Sequence, residues 1–334
     1  MNCSEEPVKI HIQGGWLMGV YHAPEGAGEG KKFPIVVMLH GYTGSHMEDR
    51  RMYVDLAREL CENGIAAFRF DYRGHGDSSG KFEDFDLDEA VQDAMTGFDF
   101  AAKLSFADDE RMGLLGLSMG GYIATRIAPK LDIKALALLS PALKIPKRAL
   151  IPEVRDGYVY MNGLRLRLDK AEKVDSMDSF PFAKSITVPL LIIHAKDDEW
   201  LYPSSVEFVK QVASEDKRLL TLEKGGHVFS DFDIRKRVFG ELTSWFADRL
   251  RTRREPQLTP SSVRDHGYAL PPDRPGKVEI IGRQHPVLSK SQLQYAGVRV
   301  PPATRTRQYR KSGGKRQGWP SAGLRQSLQL LDHR

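Results

Sequence analysis

The chain has 334 residues, 41% of them hydrophobic, with two cysteines and a formal net charge of +5. This length accommodates a large apolar core, and two cysteines exclude a fold that depends on several disulfides. The first ten residues are polar and acidic, and no apolar stretch approaches the roughly 20 residues that span a bilayer, so we expect a cytoplasmic protein without a secretory signal.

From residue 8 to residue 253, apolar runs alternate with amphipathic segments. Two short predicted strands separated by Gly14 and Gly15 indicate a β-hairpin at the start of the domain. The later apolar runs are nearly continuous, as expected of parallel strands that are buried on both faces. The predicted strands cover residues 8–13, 16–23, 33–41, 65–72, 111–118, 133–140, 188–195 and 218–223, and the predicted helices cover residues 49–62, 86–103, 120–129 and 233–251.

This alternation predicts an α/β fold in which helices cover both faces of a mostly parallel sheet. One connection is much longer than the others, because more than forty residues separate the strand that ends near Pro141 from the strand that begins near Val188. Connections in such folds usually have about 2–6 residues. We therefore interpret residues 144–187 as a small cap inserted over the end of the sheet.

The end of the chain differs in composition from the rest. Residues 257–334 carry 14 basic and 4 acidic side chains, whereas residues 1–256 carry 35 basic and 40 acidic ones. One-sided charge with few large apolar residues does not support a packed core. We therefore predict one domain over residues 1–256 and a basic, disordered tail over residues 257–334.

The segment Gly116-Leu117-Ser118-Met119-Gly120 joins a predicted strand to a predicted helix. A strand–turn–helix of this kind raises a serine onto a sharp bend above the sheet edge, and the glycines leave the space that the bend requires. The start of the following helix adds a positive dipole end where a negative oxygen would form. Ser118 is therefore the candidate nucleophile.

A serine hydroxyl needs a base, which is itself oriented by a carboxylate. After Ser118 in the chain, one predicted strand is followed by Asp197, Asp198 and Glu199, and the next strand is followed by a Gly-Gly-His segment that ends at His227. The order nucleophile, acid, histidine is the one expected for this kind of fold. We predict that His227 is the base and that the acid is one of the three carboxylates.

An oxyanion hole needs two backbone N–H groups that point at the developing negative charge. Met119, directly after the nucleophile, is one candidate donor. Tyr42, in the glycine-rich loop after the strand over 33–41, is the other. Three further histidines receive supporting roles: His40 and His75 as braces of glycine-rich loops, and His194 as the strand-end residue that orients the acid loop.

Over about residues 10–250, these features resemble the α/β-hydrolase superfamily. The segments His40–Gly44, Asp71–Ser78 and Gly116–Gly121 make the chain similar to the cinnamoyl/feruloyl esterase-like and dienelactone-hydrolase-like branches, with monoacylglycerol lipases and serine aminopeptidase-like enzymes as relatives. The resemblance implies the α/β-hydrolase fold, a small cap after the sixth strand, and neither a metal nor an organic cofactor.

In this family the acid commonly lies four residues after the histidine of a His-Gly-x-x-Asp segment, which implies Asp198 here, four residues after His194. The chain departs from the pattern in two places, because Ala195 replaces the usual glycine and Pro203 comes one residue late. Asp197 therefore remains an alternative acid.

The predicted function is that of a serine esterase with a Ser118–His227–Asp198 triad, acting on a small-molecule cinnamoyl, feruloyl or short-to-medium acyl ester. Acyl transfer, thioester hydrolysis and aminopeptidase-like hydrolysis use the same triad and remain alternatives. Aromatic side chains in the cap and near the acid and base are candidate substrate contacts, although such residues also pack small caps: Tyr158, Tyr160, Trp200 and Phe229.

A non-enzymatic alternative treats the domain as a binding module whose tail contacts nucleic acid. In the tail, basic side chains are interleaved with two aromatic ones, a combination that suits salt-sensitive contacts with phosphates and bases. The residues concerned are Arg305, Arg307, Tyr309, Arg310, Lys311, Lys315, Arg316 and Trp319.

Overall fold

A nine-stranded sheet lies at the centre of this computed structural model, which describes residues 3–28, 30–147, 150–151, 153–161, 163–250 and 278–280. The strands are β1 (Cys3–Ile12), β2 (Gly15–Pro24), β3 (Phe33–Leu39), β4 (Ala66–Phe70), β5 (Ala107–Leu117), β6 (Ala135–Leu139), β7 (Val154–Arg155), β8 (Tyr158–Met161), β9 (Leu164–Arg167), β10 (Leu190–Ala195), β11 (Lys217–Leu222) and β12 (Val278–Ile280). The helices are α1 (Met52–Glu62), α2 (Leu87–Ala102), α3 (Met119–Ile127), α4 (Leu168–Asp175), α5 (Tyr202–Gln211) and α6 (Phe232–Leu250), with short 3-10 turns at Asp49–Arg51, Phe82–Asp84, Ala128–Lys130 and Phe180–Ser185.

The strand order in the sheet is β11-β10-β6-β5-β3-β4-β2-β1-β12. The strands from β11 to β4 run parallel, and β2, β1 and β12 complete the sheet with antiparallel pairs. Every residue of β4, β6 and β10 is buried, which explains why these strands are continuous apolar runs in the sequence. The predicted α/β fold and its mostly parallel sheet are confirmed.

Helices pack on both faces of the sheet. On one face, apolar residues of α1 and α6 form a core with β3, β5, β6 and β10. On the other face, α2, α3 and α5 contribute to a second core. The start of α2 is fixed by the Asp86 carboxylate, which accepts the N–H groups of Asp88 and Glu89 as an N-cap.

The segment between β6 and β10, interpreted above as a cap, contains its own three-stranded antiparallel sheet, β7-β8-β9, followed by α4. Its buried apolar side chains include Val159, Leu166 and Val174. Strand β9 contacts the 3-10 turn Phe82–Asp84 that precedes α2. The cap therefore lies against the loop that connects β4 to α2.

Two features at the antiparallel end of the sheet are absent from the sequence predictions. Cys3 in β1 and Cys61 in α1 form a disulfide, with 5.9 Å between their Cα atoms, so the fold does not rest on its core alone. Strand β12 pairs with residues 8–10 of β1, although its residues belong to the predicted disordered tail. The other tail residues, including the candidate nucleic-acid contacts, lie outside the described part. None of the helices in the described part of the chain combines the length and the apolar character of a transmembrane span.

Candidate active site

Ser118 lies on the turn between β5 and α3, with a positive φ of 53° and a ψ of −117°. The turn requires glycine on both sides of the serine. A Cβ on Gly116 would lie 2.3 Å from the Gly120 carbonyl oxygen, and a Cβ on Gly120 would lie 2.1 Å from the Leu39 carbonyl oxygen. The turn thus holds the serine side chain, which is partly exposed, at the carboxyl end of the parallel strands.

The histidine and the acid come from the loops after β11 and β10. The Nδ1 atom of His227 lies 2.6 Å from Oδ2 of Asp198, so an Nδ1–H donates to the carboxylate and leaves Nε2 available as a base. Burial raises the pKa of Asp198, but hydrogen bonds from His194 and His227 outweigh this effect and hold the pKa well below its usual range. Asp198 is therefore ionised at neutral pH.

A second histidine, His194, contacts the same carboxylate. Its Nε2 lies 2.9 Å from Oδ2 of Asp198, and its Nδ1 lies 2.8 Å from the Ser205 hydroxyl. Burial lowers the pKa of His194, which favours a neutral ring that donates through Nε2 and accepts the Ser205 hydroxyl proton at Nδ1. Asp198 thus receives two histidine N–H donors on one oxygen.

Asp197 has a different set of contacts. Its carboxylate accepts the N–H groups of Gly225 and Gly226 at 3.2 and 2.9 Å. These glycines directly precede His227, so Asp197 holds the backbone of the histidine loop and does not contact the ring. The geometry distinguishes the two alternatives left open by the sequence and favours Asp198 as the acid.

Ser118 follows β5 and His227 follows β11, so both lie at the carboxyl end of the parallel strands. The ends of β6 and β10 lie between them. Within the described residues, the Ser118 hydroxyl has no recorded hydrogen bond to the His227 ring. Without substrate, such catalytic hydrogen bonds are often long and shorten only in the complex. Among the contacts of the candidate triad, the structure therefore shows the one between His227 and Asp198.

The candidate oxyanion donors lie on the two loops next to the serine. Neither the Tyr42 N–H nor the Met119 N–H donates to a recorded acceptor among the described residues, so both remain available. His40 braces the first loop: burial lowers its pKa to about 3, and the neutral ring donates from Nδ1 to the Gly41 carbonyl at 2.9 Å and accepts the Tyr72 N–H at Nε2.

A small apolar cavity of about 220 Å³ lies beside the acid and the histidine. Besides Asp198 and His227, it is lined by Ile145, Pro146, Leu150, Trp200 and Leu201. A larger cavity of about 590 Å³ is lined by residues of the cap alone and shares Ile145 with the small one, but no residue of the candidate triad lines it. The small cavity is therefore the one that adjoins His227 and Asp198.

The four candidate substrate contacts fall in different places. Trp200 lines the small cavity and is 67% exposed. Tyr158 and Tyr160 lie on β8, where Arg165 and Arg155 stack on their rings. The prediction that Phe229 contacts substrate is wrong. Its side chain is completely buried in the core beside β10 and α6, so it does not line a cavity.

Sequence reasoning missed one group at this site, the carboxylate of Glu48 in the loop after β3. Glu48 lies eight residues after His40 in a segment without a recognised motif, so nothing in the sequence indicated its presence at the site.

A metal site is a separate question. The described residues contain no group of three or more His, Cys, Asp or Glu side chains arranged to hold an ion.

Known proteins resemble this chain in sequence and in structure. A family model described as serine aminopeptidase, S33 (Hydrolase_4) matches residues 30–164. Lysophosphatidylserine lipase ABHD12 from Xenopus tropicalis is 31% identical over 177 residues, which cover 50% of this chain and 43% of the lipase. Est1E from Butyrivibrio proteoclasticus, solved with ferulic acid bound, has a TM-score of 0.65 and 29% identity, and the match covers 73% of this chain and 99% of Est1E.

The chain matches the α/β-hydrolase superfamily in sequence and in structure. It has an α/β fold of the type found in serine hydrolases. The α/β hydrolase GrgF from a Penicillium species shares this fold at only 16% identity, with a TM-score of 0.62 and coverage of 75% of this chain and 100% of GrgF. The chain spans less than half the length of the ABHD12 lipase that it matches. The family model covers the loop after β3 and the Ser118 turn, and it ends before β10 and β11, the strands that precede Asp198 and His227.

Proposed function

We propose that this α/β hydrolase is a serine esterase in which Ser118, His227 and Asp198 form the catalytic triad. The observation that carries the proposal is the 2.6 Å contact between His227 Nδ1 and the ionised Asp198, at the sheet edge where the Ser118 turn lies. A carboxylate in this position holds the imidazole in the tautomer whose Nε2 accepts a proton, and it stabilises the imidazolium that then forms.

The reaction follows from these roles. His227 Nε2 takes the Ser118 hydroxyl proton while the serine oxygen attacks the ester carbonyl carbon. The N–H groups of Tyr42 and Met119 bind the oxyanion of the tetrahedral intermediate. His227 then gives its proton to the leaving alcohol oxygen, the C–O bond breaks, and an acyl-Ser118 ester remains. Water, activated by the same histidine, attacks the acyl-enzyme and releases the carboxylic acid.

The substrate class is inferred from the cavity beside His227. Its volume of about 220 Å³ and its apolar lining suit one small group, such as an aromatic ring or a short acyl chain. Sites for drug-sized ligands are larger, about 300–1,000 Å³. Est1E, whose structure contains ferulic acid, supports a hydroxycinnamoyl ester or a short-to-medium acyl ester as the preferred substrate class.

A panel of substrates with different acyl and leaving groups tests the proposal. It contains p-nitrophenyl acetate, butyrate and octanoate, methyl ferulate, a lysophospholipid, an acyl-CoA and an aminoacyl p-nitroanilide, each assayed with the full chain. We expect kcat/KM for the best simple ester to exceed that for the thioester and the anilide by at least about tenfold. A faster anilide or thioester reaction would instead favour a peptidase or a thioesterase with the same triad.

A further inference from the structure

Glu48 occupies an unusual position in the loop that carries the candidate oxyanion donor Tyr42. Its backbone has φ 57° and ψ −180°, a left-handed φ that is uncommon outside glycine. Its N–H donates to Ser45 O at 3.0 Å, and its carbonyl accepts the Arg51 N–H at 3.3 Å. Hydrogen bonds on both sides therefore hold Glu48 in this conformation.

The carboxylate of Glu48 turns back onto its own loop. Oε1 accepts the Gly41 N–H at 2.5 Å, and Oε2 accepts the Asp49 N–H at 3.3 Å. A Cβ added to Gly41 would lie 3.4 Å from Glu48 Oε1 and 3.3 Å from Ser118 Cβ. The carboxylate and the nucleophile are thus close to each other, with Gly41 between them.

The surroundings of the Glu48 carboxylate contain no recorded salt-bridge partner among the described residues. Burial raises its pKa to about 7, while the two amide hydrogen bonds and the nearby His227 favour the ionised form. The other titratable groups that interact with it are Asp49, Tyr53 and Tyr72. A carboxylate without a cation, close to a nucleophile and its base, is more typical of a functional site than of a structural one.

The Gly41 N–H is one peptide before the Tyr42 N–H. The following peptide plane contains both the Gly41 carbonyl and the Tyr42 N–H, which point in opposite directions because the peptide is planar and trans. That carbonyl accepts hydrogen bonds from His40 Nδ1 at 2.9 Å and from the Gly44 N–H at 3.2 Å. With the Gly41 N–H held by Glu48, both peptide planes flanking the Gly41 Cα are fixed, and so is the direction of the Tyr42 N–H.

We propose that Glu48 is a positioning residue of the oxyanion hole, whose carboxylate holds the Gly41 N–H so that the next peptide presents the Tyr42 N–H to the tetrahedral oxyanion. The inference rests on the proposed esterase function. Glu48 takes no part in bond making or breaking. Its effect is confined to the transition state, because the Tyr42 N–H binds the oxyanion more strongly than it binds the carbonyl of the ester.

Three substitutions separate the hydrogen bond from the charge. Glu48→Gln keeps a side-chain oxygen at the same reach and loses the charge. Glu48→Asp keeps the charge but is one methylene too short to reach the Gly41 N–H. Glu48→Ala removes both. Asp49→Ala is the matched control, because Asp49 is the neighbouring carboxylate on the same turn and pairs with Arg235 on α6.

The measurement is steady-state hydrolysis of p-nitrophenyl butyrate, with a thermal melt of each variant. Loss of one oxyanion donor typically costs about 10²–10³ in kcat, so misdirection of one donor in Glu48→Ala and Glu48→Asp should cost about 10–100-fold in kcat, with KM changed by less than about threefold. Glu48→Gln should retain kcat within about threefold of the wild type, and the Asp49→Ala control should behave as the wild type does.

Three results would overturn the inference: wild-type kcat in Glu48→Ala, a higher kcat for Glu48→Asp than for Glu48→Gln, or losses that appear in KM alone. If Glu48→Ala does not fold, the Gln and Asp variants still decide between reach and charge. Failure of the proposed function has a different outcome, because the wild type would then hydrolyse no ester and would not acylate Ser118.

Discussion

The parallel core and the cap are held together in different ways. Strands β4, β6 and β10 are completely buried, and apolar helix faces cover them on both sides. Buried apolar side chains of the cap, among them Leu166 and Val174, belong to the core on the side of α2 and α3, and ion pairs at the surface add to this contact. The cap's ion pairs with the start of α2 and the turn before it are Arg165–Glu83, Lys170–Asp86, Lys173–Asp86 and Lys173–Asp88.

This difference has a consequence for function. The candidate triad and oxyanion donors all lie on loops of the core, and the cap supplies side chains around the cavity entrance. Apolar burial is insensitive to moderate salt, whereas partly exposed ion pairs are screened by it. Chemistry should therefore depend on core residues, and substrate affinity should depend on the docking of the cap.

Ser118→Ala tests the core side of the comparison and should have the largest effect. Removal of the nucleophile should reduce kcat for ester hydrolysis by about 10⁴-fold or more, with only residual catalysis from the oxyanion hole and binding. Initial rates on the best ester of the panel measure this loss. Ser244→Ala, an exposed serine on α6, is the control and should keep full activity. Normal turnover by Ser118→Ala would exclude Ser118 as the nucleophile.

Asp198→Asn and Asp197→Asn form a matched pair with the next largest effect. Asparagine at 198 no longer favours the reactive tautomer of His227, and we expect about a 10³–10⁴-fold loss of kcat. Asparagine at 197 keeps an oxygen for the glycine amides, so its loss should stay below about tenfold. Rate measurements on the two purified variants give the ranking, and the opposite ranking would transfer the role of the acid to Asp197.

The disulfide between Cys3 and Cys61 should affect stability and leave chemistry unchanged. Cross-links that close loops of this size typically stabilise a domain by about 2–4 kcal/mol, and the two cysteines are 58 positions apart. We expect Cys3→Ser, or reduction of the wild type, to lower the urea midpoint while kcat is retained. Two free thiols in the oxidised, folded protein, with a midpoint that reductant does not change, would contradict this expectation.

Asp86→Asn tests the cap and should have the smallest effect. Burial opposes the ionisation of Asp86, but Lys170 and Lys173 outweigh it and keep the pKa of Asp86 below its usual range. Asparagine still caps α2, so the variant removes mainly the charge. Because both lysines are partly exposed, solvent screens these pairs, and screened pairs contribute about 0.2–1 kcal/mol each. KM should therefore rise about two- to fivefold with little change in kcat.

Salt and pH extend the same test. Because the pKa of Asp86 is lower in the folded state, its stabilising effect is complete above the unfolded value of about 4 and is lost as the pH falls through the folded value. High salt or low pH should therefore expose the cap to limited proteolysis before the core unfolds. Asp132→Asn, which breaks an exposed pair with Lys134 remote from the cap, should change nothing. Equal sensitivity of both variants would contradict charge-based docking.

The sequence was sufficient to predict the core because burial on both faces leaves long apolar runs. The serine turn could also be predicted from the sequence. Its glycines at 116 and 120 are required because a Cβ at either position would lie 2.1–2.3 Å from a backbone carbonyl oxygen. Helix α5 was missed although Pro203 lies in its first turn. The choice between Asp197 and Asp198 depends on the direction in which each side chain leaves its loop, and neither spacing nor composition contains that information.

Two other features could not be predicted because no pattern or spacing in the sequence indicates them. The disulfide requires the first residues of β1 to lie beside the end of α1, which is a property of the assembled fold. The role proposed for Glu48 depends on one hydrogen bond to Gly41, seven residues earlier, in a loop with no repeating pattern. The predicted cytoplasmic location and nucleic-acid-binding tail stay predictions.

Covalent labelling of the nucleophile tests the central claim most directly. The full chain is treated with a fluorophosphonate, which reacts with activated serines, and the digested protein is analysed by mass spectrometry. We expect one adduct, on Ser118, that forms in the native wild type and is lost after heat denaturation or in a His227→Ala variant. An adduct on a different residue, or no adduct in a preparation that hydrolyses esters, would contradict the assignment of the triad.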